Sequence, residues 1–471
     1  MKGSVNIIIL QNSATSKQKI DRIEETKDTL TSRGGLAFFS RYLKQIGLLG
    51  MLTERFAHIK GSAKGFLLSN MFTQLICAFV DGTRNSISHF NELKKDAGYA
   101  AAIETMFTEM VSRDQVERFF GKFNNPGFLR TFRDILLELF VWRLVLARPS
   151  IIFITIDTMV LDNDDAKTRE GVTPTYKKVK GFQPFHMIWN GLIVDVIFRG
   201  GKKHGNHGST VERSITRTVN RIREALGKDV EIVFLFDSAF CDRDIFETLD
   251  DLDVFYIAAG KQHKCAKEAL ADVEQEKFST LSCYSVVWWW REFLYKCDSW
   301  KKGIRAFYTV PITEESGQFL LQFGEGERII LTNIQKNSRL ERIELGISDG
   351  WRIIELDHSR GTSELAHRSI KEFASEKMPF KDFHANAAYY HLMVIAHFAL
   401  KCFAADALEN VVSGLSSKSY PNTIRRVFVD FAAKIVTTSR RIVLKTTHAI
   451  IDALNLHEVW RRAGEAMPVT A

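Results

Sequence analysis

The sequence has few cysteines, and their arrangement supports neither a metal ribbon nor a disulfide framework. Six cysteines are scattered over 471 residues, and none of them forms a Cys-x-x-Cys pair. Zinc ribbons and disulfide-rich secreted domains both depend on such close spacings. The cysteine pattern therefore fits a protein of a reducing cytoplasm.

Long apolar segments are also lacking. The two longest, Phe66–Val80 and Leu392–Ala405, are each interrupted by polar side chains, and the chain does not open with a basic and then an apolar segment. A membrane span needs about 20 predominantly apolar residues, and a secretory leader needs the basic-then-apolar order. We therefore expect no membrane partner.

Proline is scarce, and no low-complexity tract or internal repeat is present. Eight prolines in 471 residues indicate short linkers, and a chain of this length is expected to form about three domains. The composition, 45% hydrophobic and 25% charged, is that of a folded globular protein rather than a disordered or fibrous one. The net charge of +8 favours a polyanionic partner, but only weakly.

The spacing of apolar residues changes along the chain and divides it into regions. Between Gly34 and Leu146 they recur every three or four positions, which predicts helices. Short β-branched and aromatic runs after Pro149 predict strands, and Ser209–Leu226 has the spacing of a helix. The predicted regions are a helical N-terminal part, the first part of an α/β core, a β-rich insertion, the second part of the core and a basic C-terminal part, at residues 1–148, 149–260, 261–350, 351–405 and 406–471.

The first core region resembles the beginning of an RNase H-like sheet. The Asn190-Gly191 pair predicts a tight turn that makes the second and third strands antiparallel. The order is three strands, a helix and two further strands, which gives an α/β fold with a mixed sheet and flanking helices. The predicted strands are Ile151–Ile156, Phe185–Trp189, Leu192–Phe198, Glu231–Phe236 and Val254–Ala259, followed in the insertion by Thr280–Trp290, Ile304–Val310 and Arg328–Ile334. The basic segment Ile424–Thr447 fits either a helix or a strand pair.

Two aspartates follow predicted core strands, and a glutamate begins a predicted helix. Asp157 and Asp237 come directly after the apolar runs at 151–156 and 231–236, so both are expected at the carboxyl edge of the sheet. Glu364 opens a helix that is expected to pack beside those strands. Taken singly, each aspartate could be a turn former or helix cap, and the helix could be a surface helix with ordinary ion pairs. The three together predict a carboxylate site.

Three carboxylates without a His or Cys cluster suit two Mg²⁺ ions, which prefer oxygen ligands and keep some of their waters. Two such ions about 4 Å apart can activate water and stabilise a leaving oxygen in phosphodiester cleavage. The basic residues nearby would then contact DNA phosphates. They are Arg360, Arg368 and Lys371 around the glutamate, and Lys178, Lys180, Lys202 and Lys203 between the two aspartates, where a solvated basic loop is the alternative.

These residues resemble the DDE transposases of bacterial insertion sequences, in the branch with a β-rich insertion before the final glutamate. The branch has a signature of Tyr, Arg, Glu and Lys with two, three and six residues between successive members. Arg360, Glu364 and Lys371 match the last three, but Asp357 stands at the tyrosine position. The resembling stretches, in family order, are Thr155–Thr158, Lys180–Phe185, Phe198–Gly201, His204–Asn206, Phe236–Phe240 and Arg360–Glu364 with Lys371.

The resemblance implies a function. Asp157, Asp237 and Glu364 are expected to hold two Mg²⁺ ions, with Mn²⁺ as a substitute, and to cut and join double-stranded DNA at terminal inverted repeats. Residues 1–148 are expected to bind DNA, and the protein to act as a homodimer at the bacterial nucleoid in the cytoplasm. A catalytically inactive DNA-binding descendant and a simple nuclease are the alternatives.

Tryptophans are concentrated in the predicted insertion, and two roles remain open for them. Trp288, Trp289, Trp290 and Trp300 could stack on a flipped base, as related hairpin-forming transposases do. They could also form the packed interior of a β domain. The sequence favours packing.

Overall fold

The structure is a computed structural model, and it describes most of the 471-residue chain. The described residues are 20, 22–60, 65–166, 168–203, 208–261, 279–283, 286–296, 300, 302–315, 318–321, 326–438 and 441–469. The stretch His204–Asn206 and parts of the predicted insertion lie outside these ranges.

A mixed sheet forms the centre of the molecule. Its strands are built from β-branched and aromatic residues, which suit a pleated surface packed on both faces. The strands of the described chain, in order, are β1 Thr29–Thr31, β2 Ile151–Thr158, β3 Leu161–Asp162, β4 Thr173–Pro174, β5 Lys180–Phe182, β6 Phe185–Trp189, β7 Leu192–Ile197, β8 Glu231–Phe236, β9 Phe255–Ala259, β10 Ser279–Cys283, β11 Val286–Tyr295, β12 Ile304–Glu315, β13 Gln318–Leu321, β14 Arg328–Thr332, β15 Ala433–Thr438 and β16 Arg441–Lys445.

Five of these strands give the RNase H-like part of the sheet, in the order β7-β6-β2-β8-β9. Strand β2 runs parallel to β8 and antiparallel to β6, while β6 and β7 form a hairpin. The turn of that hairpin contains Asn190 and Gly191, both with positive φ, as the Asn-Gly pair predicts. The predicted α/β fold with a mixed sheet is therefore confirmed.

The strands of the predicted insertion continue this sheet at its β9 edge. Strand β14 pairs antiparallel with β9, and β12, β11 and β10 follow outward. The predicted single strand Thr280–Trp290 is in fact the hairpin β10–β11. The sequence did not show the turn between the two arms because no Gly, Pro, Asn or Asp lies between Thr280 and Trp290. A ten-stranded sheet results within the described residues.

Helices cover both faces of the sheet. Apolar side chains at intervals of three and four give each long helix a buried stripe. The helices of the described chain are α1 Gly35–Gln45, α2 Leu48–Arg55, α3 Leu68–Asp81, α4 Phe90–Leu93, α5 Ala97–Ala102, α6 Arg113–Phe120, α7 Pro126–Ala147, α8 Thr210–Leu226, α9 Arg243–Asp251, α10 Gly350–Ser359, α11 Thr362–Phe373, α12 Phe383–Phe403, α13 Pro421–Ile424, α14 His448–Ala453 and α15 Leu456–Glu465. Helix α10 lies in a segment that gave no clear helical pattern in the sequence.

Helix α12 is the core helix that joins the N-terminal helices to the sheet. It packs against α3, α7 and β7, and nearly all its side chains are buried. Among the described helices, Phe383–Leu408 is long and apolar enough to cross a membrane, but 89% of that apolar window is buried inside the protein. Its apolar composition is therefore explained by its place in the core.

The C-terminal basic segment returns to the start of the chain. Strands β15 and β16 form a hairpin, and β1 pairs antiparallel with β15. Of the two predicted alternatives for Ile424–Thr447, the strand pair is the main element, after short helical turns. The first helices and the last strands therefore form one structural unit.

Candidate active site

Asp157 is held at the carboxyl end of the central strand. It is the penultimate residue of β2, and its backbone pairs with that of His186 on β6. Its Oδ1 accepts a hydrogen bond of 2.7 Å from the amide of Thr158, and its Oδ2 accepts one of 3.2 Å from the hydroxyl of Ser363. Two hydrogen bonds therefore hold the carboxylate at the sheet edge.

Asp237 follows the neighbouring parallel strand directly. It caps the short turn Ser238–Phe240, and its Oδ1 accepts a hydrogen bond of 3.0 Å from the amide of Ala239. Because β2 and β8 are parallel neighbours, their carboxyl ends meet at the same edge of the sheet. The two aspartates are thus brought to one place, as their positions after strands predicted.

Glu364 reaches the same place from a helix. It lies in the first turn of α11, one residue after Ser363, which contacts Asp157. All three acids line one cleft of about 640 Å³. The cleft therefore collects carboxylates from three elements that are distant in sequence.

Cations line the same cleft as the acids. Arg360, Arg368 and Lys371 are among its lining residues, as predicted, and Lys177 joins them. Arg368 and Lys371 also contact acids, with Arg368 Nε at 3.1 Å from Glu372 Oε1 and Lys371 Nζ at 2.8 Å from Glu376 Oε2. The cleft therefore presents both signs of charge to a ligand.

The electrostatics show that the acids influence one another. Burial raises the pKa of Asp157, and the charge of Glu364 raises it further, while Arg360 lowers it. Burial also raises the pKa of Asp237, with the charge of Asp157 as the next cause. The pKa of Tyr176 is raised by burial and then by all three acids. A cation between the carboxylates would relieve this repulsion.

Asp357, which stands at the family's tyrosine position, lies behind the cleft. It is 1% exposed, and neither of its carboxylate oxygens has a hydrogen-bond partner among the described residues. Its nearest cations are Arg328 at 3.6 Å and Arg360 at 3.8 Å. Burial raises its pKa, and the two arginines oppose that effect. Asp357 therefore faces the arginine that lines the cleft.

The other predicted basic residues lie on or beside a small sheet formed by β3, β5 and β4. Lys178 is exposed in the turn before β5, and Lys180 is the first residue of β5. Lys202 is exposed, and its amide donates a hydrogen bond of 2.8 Å to Thr173 Oγ1 on β4. Lys203 is exposed beside it, and none of these four lysines lines the described cleft. They flank the segment that carries Tyr176 and Lys177 into it.

The cleft wall contains further polar side chains that were not among the predicted site residues. Tyr176, Lys177 and His367 line it together with the acids. His367 could have been found from its spacing, because it lies three residues after Glu364 and so on the same face of α11. Tyr176 and Lys177 had no such signal, since their position depends on the fold of the small sheet.

The tryptophans of the predicted insertion pack against protein side chains. Trp288 lies 4.5 Å from the ring of His358, and Trp290 lies 5.8 Å from that of Phe307. Trp300 contacts Phe246 at 5.5 Å between ring centroids. Each is partly buried, which agrees with the packing role that the sequence favoured.

The donors in the cleft fit a hard divalent cation. The three carboxylates, two of which have a pKa raised by burial, offer the oxygen ligands that Mg²⁺ prefers. Within the described ranges no three His, Cys, Asp or Glu side chains are grouped closely enough to hold an ion alone. Mg²⁺ sites are compatible with this, because the ion usually takes one or two protein carboxylates and completes its shell with water and substrate phosphate.

Comparison with known proteins identifies the family. The family model described as transposase DDE domain group 1 matches residues 13–466. Comparison with curated proteins gave no match. Among solved structures, the cryo-EM structure of the piggyBac transposase synaptic complex with hairpin DNA is similar, with 11% identity, a TM-score of 0.37 and coverage of 86% of this chain and 82% of that chain. This structural similarity is distant, so the assignment depends on the sequence match. Since that match spans nearly the whole chain, the protein belongs to the group 1 family of DDE-domain transposases.

Proposed function

We propose that this protein is an active DNA transposase that cuts and joins DNA strands at the ends of a mobile element. The observation that carries the proposal is the meeting of Asp157, Asp237 and Glu364 in one cleft lined with cations. Mg²⁺ bound by these acids would activate water and stabilise the leaving oxygen of a phosphodiester. Mn²⁺ is expected to substitute for it.

The protein's own residues bind and orient the DNA. Arg360, Arg368, Lys371 and Lys177 line the cleft and are placed to contact phosphates on either side of the reacting one. Arg360 also opposes the rise that burial causes in the pKa of both aspartates. Ser363 and the amide of Thr158 each donate a hydrogen bond to the Asp157 carboxylate and so help to hold it at the sheet edge.

The DNA path continues, in this proposal, over the small sheet beside the cleft. Lys178 and Lys202 are exposed there, and an extended duplex leaving the cleft would pass such a surface. Neutralising several phosphates would make binding fall steeply with salt. Two element ends must be held together for transposition, so we propose a homodimer acting on double-stranded DNA at the bacterial nucleoid.

The test is cleavage and strand transfer on a labelled duplex that carries the terminal repeats flanking the gene. Asp237→Asn is compared with the wild type, with Mg²⁺ and with EDTA. Asp242→Asn is the matched control, because Asp242 caps α9 by accepting a hydrogen bond from the amide of Asp244, much as Asp237 caps its own turn. Both substitutions keep an acceptor at the cap, but Asp242 does not line the cleft.

We expect Asp237→Asn to abolish cleavage and joining while leaving DNA binding nearly unchanged, and Asp242→Asn to behave as the wild type. Specific binding by the wild type with no cutting under Mg²⁺ or Mn²⁺ would instead indicate an inactive DNA-binding descendant. Cleavage without joining would indicate a simple nuclease.

A further inference from the structure

A buried histidine stands between the cleft and the interior of the protein. His367 lines the cleft, is 9% exposed, and its Nδ1 lies 3.8 Å from Asp157 Oδ2. It lies on α11 between Glu364 and Lys371. Its other ring nitrogen contacts a buried side chain, so His367 connects the carboxylate to the interior of the protein.

Behind His367 a chain of hydrogen bonds continues into the core. His367 Nε2 lies 3.1 Å from His186 Nδ1, and His186 Nε2 lies 2.9 Å from the hydroxyl of Tyr390. His186 and Tyr390 are both 0% exposed. The three side chains come from α11, β6 and α12. Helix α11 lines the acidic cleft, and β6 pairs with β2, the strand that carries Asp157.

The direction of this chain follows from what each group can donate. A carboxylate only accepts, and at 3.8 Å its negative charge favours the tautomer in which the facing nitrogen of His367 carries the proton. In a neutral ring the other nitrogen then accepts, and the Nδ1 of His186 must donate to it. The Nε2 of His186 is left as an acceptor, which the Tyr390 hydroxyl satisfies. Every donor therefore points towards Asp157.

We propose that Tyr390, His186 and His367 form a positioning chain that fixes the His367 N–H towards Asp157 and so sets the orientation of that carboxylate. The expected effect on the cleavage rate rests on the proposed function, whereas the position of the proton on each histidine ring does not. Such outer partners orient ligand side chains at metal sites, and their loss typically lowers metal affinity or activity 10- to 100-fold. The 3.8 Å separation from Asp157 is expected to shorten in the complex with DNA and metal.

The first test needs no activity. In protein labelled with ¹⁵N at histidine, the nitrogen spectrum of the wild type distinguishes a protonated ring nitrogen from an unprotonated one, and His186→Gln and His367→Gln assign the two signals. We expect both rings to carry their proton on Nδ1. A proton on Nε2 of either ring would overturn the proposal.

The second test is kinetic and uses adjacent tyrosines. Tyr390→Phe removes the hydroxyl that begins the chain, while Tyr389→Phe removes one from the neighbouring buried residue of the same helix, which packs against Phe79 instead. We expect Tyr390→Phe to slow cleavage about tenfold and to raise the Mg²⁺ concentration needed for half-maximal rate. DNA affinity and the unfolding midpoint should match those of Tyr389→Phe.

Two outcomes distinguish failure of the positioning chain from failure of the proposed function. If the wild type cleaves DNA but Tyr390→Phe cleaves as fast as Tyr389→Phe, the positioning chain is refuted and the transposase remains. If the wild type does not cleave at all, the proposed function fails. The nitrogen spectrum of the two histidines then still decides whether the positioning chain is present. If Tyr390, His186 and His367 act as one unit, the double variant Tyr390→Phe with His367→Asn should cleave DNA no more slowly than His367→Asn alone.

Discussion

A buried ion pair connects the N-terminal helices to the sheet that carries the two cleft aspartates. Arg133 on α7 donates two hydrogen bonds to Asp195 on β7, at 2.8 and 2.6 Å, and a third of 2.7 Å to the hydroxyl of Ser214 on α8. Asp195 is 1% exposed, and although burial raises its pKa, Arg133 brings the net shift below the usual value. The pair is therefore desolvated, bidentate and fully ionised.

Replacing the arginine with Met should be strongly destabilising. Arg133→Met leaves the Asp195 carboxylate buried, with Arg217 at 3.9 Å as its remaining cation. Removing one partner of a buried pair costs about 3–5 kcal/mol, because the other charge stays desolvated. The free energy of unfolding, measured by urea denaturation with the slope held to that of the wild type, should fall by this amount.

The control is a second arginine on the same side of the molecule. Arg55 on α2 contacts Glu138 on α7 at 2.6 Å, but its side chain is 45% exposed. Arg55→Met should cost less than about 1 kcal/mol. The double variant Arg133→Met with Asp195→Leu should lie closer to the wild type than Arg133→Met alone, because no buried charge is left. Equal losses for Arg133→Met and Arg55→Met would refute the reasoning.

Three further predictions follow from close packing, charge and burial. Gly35→Ala should destabilise the protein by about 1–3 kcal/mol, because the added Cβ would lie 2.2 Å from the backbone oxygen of Phe428. Gly50→Ala, with open space around it, should stabilise α2 by about 0.5–1 kcal/mol. If both variants shifted the denaturation midpoint in the same direction, the reasoning would be contradicted. Lys202→Ala should reduce the salt slope of DNA binding by about one without changing the cleavage rate of bound DNA, which filter binding at several salt concentrations and single-turnover kinetics can measure. Burial lowers the pKa of His397 to about 3, so the histidine resists protonation in the folded protein. Its contribution to the free energy of unfolding should be fully present above pH 6.5 and be lost as the pH falls from 6.5 towards 3. His397→Gln should therefore flatten the dependence of the free energy of unfolding on pH over that range.

The strands that precede the two cleft aspartates were predictable because their pattern is local. Runs such as Glu231–Phe236 are short, apolar and bounded by polar residues, and the structure has that strand with the same limits. An aspartate after such a run lies at a sheet edge by chain geometry alone. The meeting of Asp157 and Asp237 therefore followed from two local patterns and the parallel pairing of two strands.

Features that depend on pairing between distant segments could not be predicted in this way. The strands after residue 278 have β-like composition, but only the pairing of β14 with β9 shows that they extend the core sheet. His186 is a lone histidine in an apolar strand, and its bonds to His367 and Tyr390 span 181 and 204 positions. A sequence pattern of a few residues carries no information about such partners.

The position of Glu364 depends on the C-terminal region as well as on the core. The buried guanidinium of Arg425 donates hydrogen bonds to the carbonyl oxygens of Phe79 and Val80 at the end of α3, and to those of Glu372 and Phe373 at the end of α11. Carbonyls at helix ends lack partners within the helix, so one side chain satisfies two helix ends together. The helix that begins with the acidic residue of the cleft is thus fixed at its other end by a residue from the C-terminal part. The C-terminal region therefore supports the acidic cleft directly.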